Sequence, residues 1–110
     1  MTERKILITE EAIYCSCSWL NGINDHNLRH LFFDLLCEVN LEEGKTWKGF
    51  PLEIGEIVTS IDELSYRTGL SSMQVRTVLK HLEGSNLIER RKISNRTLIK
   101  VLNISDYVEA

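Results

Sequence analysis

Arg76, Lys80, Arg90, Arg91, Lys92 and Arg96 place six cations in the last third of the chain, close enough in sequence to act on one partner. Guanidinium and ammonium groups gathered on one surface bind polyanions, because phosphate and carboxylate oxygens are their strongest acceptors. Interleaved with them are Ser71, Ser72, Gln74, Thr77 and Asn95, polar side chains that can hydrogen-bond phosphate oxygens or the flat edges of bases. Residues 67–100 hold eight Lys and Arg against Glu83 and Glu89, a net of +6. Residues 1–66 hold five basic and twelve acidic side chains, net −7, and the last ten add −2, so the overall charge of −3 hides a positive region and a negative one.

Residue types suited to catalysis or metal binding are spaced poorly for it. Cys15-x-Cys17 with His26 and His30 offers two thiols and two imidazoles, an adequate donor set for tetrahedral zinc. The gaps fit no zinc-finger spacing, and small cysteines on an alternating stretch are read more simply as apolar residues. A cysteine nucleophile needs an oriented base and an oxyanion site, and no neighbouring pattern supplies them. Glu10-Glu11 and Glu42-Glu43 are adjacent and so diverge rather than converge on one substrate; they read as solvated turn or cap residues. The six glycines are scattered, which leaves no phosphate-cradling loop for nucleotide hydrolysis. The expectation is a binding protein without enzymatic activity, cofactor or metal. His81 is expected to be exposed, within reach of a phosphate.

What must position the cations is a small fold. With 110 residues, 43% of them hydrophobic and 26% charged, the chain fits a single domain over residues 1–110: a core at 25–107 and an N-terminal extension at 1–24. No apolar run approaches the roughly 18 residues that span a bilayer, and the start at Met1 leads into too short an apolar run for a secretory signal. No membrane association and a cytoplasmic location are expected. The odd count of three cysteines, Cys15, Cys17 and Cys37, then reads as reduced thiols.

Along the chain, Lys5 to Ile8 reads as a short strand, and residues 13–20 alternate with a period of two. Asn24 or Asp25 can cap a helix whose apolar stripe is Leu28, Leu31, Phe32, Leu35, Leu36 and Val39. Asn40 to Lys45 reads as an exposed turn, and Phe50 to Thr59 as extended chain ending in a short strand, Ile57 to Thr59. Ser60-Ile61-Asp62-Glu63 and Ser71-Ser72-Met73-Gln74 both fit the capping box, in which the serine oxygen accepts from the third amide and the Glu or Gln reaches back. Gly69 can end the first of these helices in a left-handed conformation, with Leu70 in the corner. The second helix, Ser72 to Glu83, has Val75, Val78, Leu79 and Leu82 as its buried stripe and Met73, Thr77 and Lys80 opposite. After Gly84-Ser85-Asn86, the runs Leu87 to Ile93 and Arg96 to Ile104 read as a hairpin around Ser94-Asn95. A two-residue loop pairs Ile88 with Val101, Arg90 with Ile99, and Glu89 with Lys100, the last as an outer ion pair.

Helix, Gly turn, helix, then basic hairpin is the winged helix-turn-helix pattern, so the expected fold is α+β, with three helices, a small antiparallel sheet and a C-terminal β-hairpin wing. A helix fits the DNA major groove, which makes Ser71, Ser72, Gln74, Arg76, Thr77 and Lys80 the expected contacts of a recognition helix. Gln74 and Arg76 suit adenine and guanine edges, and Lys80 suits the backbone. Arg90, Arg91, Lys92, Asn95 and Arg96 would form a wing on the sugar-phosphate chain or in the minor groove. Double-stranded DNA is the expected partner.

Residues 28–107 also resemble the N-terminal winged-helix domain of phage and prophage replisome organisers, the DnaD-like replication-initiation proteins. The resemblance lies in Arg29-His30-Leu31-Phe32, Trp47-Lys48-Gly49, Val58-Thr59-Ser60, Thr68-Gly69-Leu70-Ser71, Gln74-Val75-Arg76-Thr77, Thr97, Val101-Leu102-Asn103 and Asp106-Tyr107. It implies origin recognition in DNA replication, self-association, and a replication-protein partner engaged through a further domain. It does not extend to the tract before residue 25, and Met73 stands where a polar residue is more usual. A small transcriptional regulator would use the same residues, and a protein-interaction module is the reading from another class.

Overall fold

The apolar stripe from Leu28 to Val39 forms a helix, α1 (Asp25–Glu38), in the computed structural model, which describes residues 25–107. The expected strand at residues 5–8, the alternating tract 13–20, Cys15-x-Cys17, Glu10-Glu11, the extension 1–24 and the cap at Asn24 lie outside the described residues. Leu28, Leu31, Phe32, Leu35, Leu36 and Val39 are all buried. The 3.6-residue period puts them on one face, and their removal from water is what holds the helix in place. Phe32 meets the ring of Tyr107 edge-on at 5.7 Å, which ties the end of the described chain to α1.

Two further helices follow, α2 (Ile61–Thr68) and α3 (Ser72–Gly84), joined by a turn of three residues. Gly69 at φ 76° takes the left-handed position that stops α2, and its N–H donates to the Ser65 carbonyl. Leu70 packs half-buried against the core. α2 buries only Leu64 and Thr68 fully, whereas α3 buries Val75, Val78, Leu79 and Leu82.

The capping boxes differ. At Ser71 both arms are present: Ser71 Oγ accepts from Gln74 N–H at 3.1 Å, and Gln74 Oε1 accepts from Ser71 N–H at 2.9 Å. At Ser60 only the serine arm forms, with Ser60 Oγ accepting from Glu63 N–H at 3.1 Å. The Glu63 carboxylate turns away, accepting instead from Thr59 Oγ1 at 3.0 Å and from the Arg96 guanidinium. The expected second arm is lost because a charged donor outbids a backbone amide for a carboxylate.

The helices pack on one face of a three-stranded antiparallel sheet, in the order β3 (Glu56–Thr59), β5 (Arg96–Val101), β4 (Ile88–Ile93). The β4–β5 register is the one the sequence implies, with Ile88 opposite Val101, Glu89 opposite Lys100 and Arg90 opposite Ile99. Ile88, Ile99 and Val101 complete the core under the helices. The expected Glu89–Lys100 ion pair is not made, because Lys100 Nζ reaches Glu53 at 2.6 Å instead. Asn86, at φ 59°, takes the left-handed position after α3.

A second, two-stranded ribbon, β1 (Thr46–Trp47) and β2 (Phe50–Pro51), follows the turn expected at 40–45 and takes in the start of the extended chain expected at 50–59. It turns through Lys48 and Gly49, both at positive φ. Phe50, Pro51 and Leu52 share a cleft of about 790 Å³ with Leu98 and Lys100 of β5 and Arg91 of β4. Gly55, at φ 90°, lets the chain pass close to β5: a Cβ there would sit 3.1 Å from the Val101 carbonyl oxygen. Among the described residues no helix is long and apolar enough to cross a membrane.

Candidate nucleic-acid interface

α3 is firmly anchored on one face and exposed on the other. Four of its apolar residues lie at or below 2% exposure, and its N-terminus is closed by a full capping box. At 100° per residue, Met73, Thr77 and Lys80 point directly away from that buried stripe, Arg76 flanks them on one side, and Gln74 and His81 on the other. All six are exposed, while Ser72 is half-buried and Ser71 exposed.

Hydrogen bonds limit what three of these residues can offer. Gln74 Oε1 is committed to the Ser71 amide, so only its Nε2 remains free to donate. A bidentate adenine contact uses both ends of the amide, and the Ser71 amide already takes one lone pair of the Gln74 oxygen. Ser71 Oγ is likewise occupied as the cap acceptor. Thr77 Oγ1 donates to the Met73 carbonyl at 3.0 Å, which turns its hydroxyl onto the helix backbone.

The cations expected to form a wing do not gather on one surface. Successive side chains of a strand point to opposite faces, so Arg90 and Lys92 share the helix-facing side with Ile88 while Arg91 points the other way. There the Arg91 guanidinium lies 5.8 Å from the Phe50 ring centroid, in cation–π range. Arg90 is bound to Glu83 of α3 at 2.5 Å, and Arg96 to Glu63 of α2. Arg67 pairs with Asp34 at 2.7 Å and Glu38 at 3.7 Å, both on α1. With Lys100 on Glu53, four of the eight cations between residues 67 and 100 are in ion pairs, three of them with acidic residues from the first 66. The expected concentration of positive charge is therefore reduced by about half. Among the described residues Arg76, Lys80, Arg91 and Lys92 remain without an ion pair, and Asn95 is exposed at the ribbon turn beside Ser94.

The Arg96–Glu63 pair stitches the ribbon to the start of α2, and it titrates. The bound guanidinium, with a smaller contribution from the Thr59 hydroxyl, holds the Glu63 carboxyl below its ordinary value of 4.5. A carboxyl depressed in the folded state stabilises fully above 4.5 and loses that contribution as pH falls below it. With side chains 35% and 43% exposed, solvent screening limits the pair to about 0.2 to 1 kcal/mol. Glu63→Gln should flatten the acid limb of the stability curve by that amount in urea titrations stepped from pH 6 to about pH 3. An unchanged acid limb would mean that the pair contributes nothing.

His26 and His30, considered for zinc, stack with centroids 6.2 Å apart. His26 Nδ1 accepts from Arg29, and His30 Nε2 donates to the Thr68 carbonyl at 3.0 Å, which joins α1 to the end of α2. Partial burial, helped by Asp34 and Glu38, pushes the Cys37 thiol above its ordinary 9.0, so it stays protonated and a poor nucleophile near neutral pH. Compared with family models, curated proteins and solved structures, the chain matches none.

Proposed function

We propose that residues 25–107 form a winged-helix module that binds duplex DNA, with α3 in the major groove and the β4–β5 ribbon as its wing. The observation that carries this reading is the exposed face of α3. It presents Arg76 and Lys80, in no ion pair among the described residues, on a helix fixed by four buried apolar residues and a closed cap, the rigid presentation that groove recognition needs. Lys92 adds a cation on the side of the ribbon that faces the helices. Arg90 and Arg96 hold the wing against the helices rather than contacting phosphate. The resemblance to replisome organisers makes origin recognition in replication the particular role we favour, with self-association and a replication-protein partner. A transcriptional regulator is the neighbouring role.

A protein-docking module is the second reading. It is favoured by the neutralisation of half the cations and by Tyr66, 90% exposed on α2. Salt separates the two. Three or four phosphate contacts should weaken duplex binding about 40- to 150-fold between 50 and 200 mM monovalent salt, since each contributes about 0.9 to the log–log slope. Binding measured by fluorescence anisotropy on a random 20-base-pair duplex tests this. No binding at 50 mM salt, or a flat salt profile, would remove DNA from the proposal.

A further inference from the structure

On the crest of α3 apolar groups stand alongside the polar ones. Met73 is 76% exposed, one of two large apolar residues so exposed among those described, and it stands one helical turn before Thr77. Thr77 has turned its hydroxyl proton into the Met73 carbonyl, which leaves its methyl group and the two oxygen lone pairs for a partner. Residues four apart are neighbours on a helix surface, so the thioether and the Thr77 methyl make a short apolar strip directly opposite the buried stripe. Lys80 continues the same crest and Arg76 lies on its flank, neither in an ion pair among the described residues, and the Gln74 Nε2 beside the strip is free to donate.

We propose that Met73, with the Thr77 methyl, reads the C5-methyl group of a thymine, so that the module discriminates by an apolar contact as well as by hydrogen bonds. This rests on the DNA-binding reading above. The major-groove edge of a thymine carries an apolar group beside its O4 acceptor, which the other three unmodified bases lack. A polarisable, unbranched thioether suits such a contact, because it can follow the methyl without a fixed rotamer. The free Gln74 Nε2 is a donor close to the same crest, matched to the acceptor that accompanies the methyl. The strip thus pairs one apolar and one donor group with the same base edge.

The test uses the full chain and a duplex enriched from a random library, with each thymine replaced in turn by deoxyuridine, which removes only the methyl. At one or two positions the wild type should bind about three- to fivefold more weakly, the size expected for one methyl left in water. Met73→Ala should lose a similar factor on the thymine duplex and be indifferent to deoxyuridine at those positions; Met73→Leu should restore the preference. Tyr66→Ala, the control for the other exposed apolar side chain, should keep the full thymine preference. Far-UV circular dichroism and urea midpoints verify that each variant is folded, as an exposed position should allow. A thymine preference that survives Met73→Ala unchanged, or a wild type that ignores deoxyuridine everywhere, overturns the inference while leaving DNA binding intact. Failure of the wild type to bind any duplex overturns the underlying reading instead.

Discussion

Leu64→Ala should destabilise the protein by about 3 to 5 kcal/mol, the upper part of the range for emptying a buried leucine site. Leu64 is wholly buried and is the one fully buried apolar residue of α2. An eight-residue helix cannot persist in water on its own propensity, so α2 exists because this side chain is packed. Collapse does not refill the space: α2 lies against both α1 and α3, and each of those is fixed by four or more buried apolar residues of its own. The polar ties of α2, Arg67 to Asp34 and the Thr68 carbonyl to His30, are partly exposed and compensate weakly. For a domain whose total stability is of the order of 5 to 15 kcal/mol, the change is large. Urea unfolding at constant slope measures it. A shift under about 1 kcal/mol would show that α2 is not held through Leu64.

Replacing Arg76 and Lys80 together by alanine should weaken duplex binding on the order of a hundredfold at 50 mM salt and reduce the log–log salt slope by about 2. Both side chains are exposed on a helix whose core residues are untouched, so the fold should survive. The comparison that gives the result meaning is the double variant Arg96→Ala, Glu63→Gln. It removes a ribbon cation together with the carboxylate that already neutralises it, leaving net charge unaltered. Its salt slope should match that of the wild type. If the Arg96 pair mattered as much as Arg76 and Lys80, the assignment of contact to α3 would be wrong.

The local features were legible before any coordinates. The period of apolar residues in α1 and α3, the stop at Gly69, the cap at Ser71 and the β4–β5 register depend on residues at most fourteen positions apart, and on rules of spacing that hold wherever a helix or hairpin forms. Charge was legible only as a count. Composition cannot reveal that Glu63 lies beside Arg96 across 33 positions of chain, that Arg67 reaches α1 across 33, or that Lys100 finds Glu53 across 47 rather than Glu89 across its own hairpin. Those pairings require the helices and strands to be docked first.

The same division runs through the candidate interface. Side-chain types and helical phase, written in the sequence, determined which residues of α3 face outward. The alternation of β4 was written there too, but that Arg91 would find Phe50 on the far side depended on where the β1–β2 ribbon came to rest. Tertiary structure decided which outward groups stay free, leaving Arg76, Lys80 and Lys92 available and binding Arg90 and Arg96 to acids. The reason is range: hydrogen-bond periodicity is a property of neighbouring residues, whereas the neutralisation of a charge depends on every segment the fold brings within a few ångströms of it.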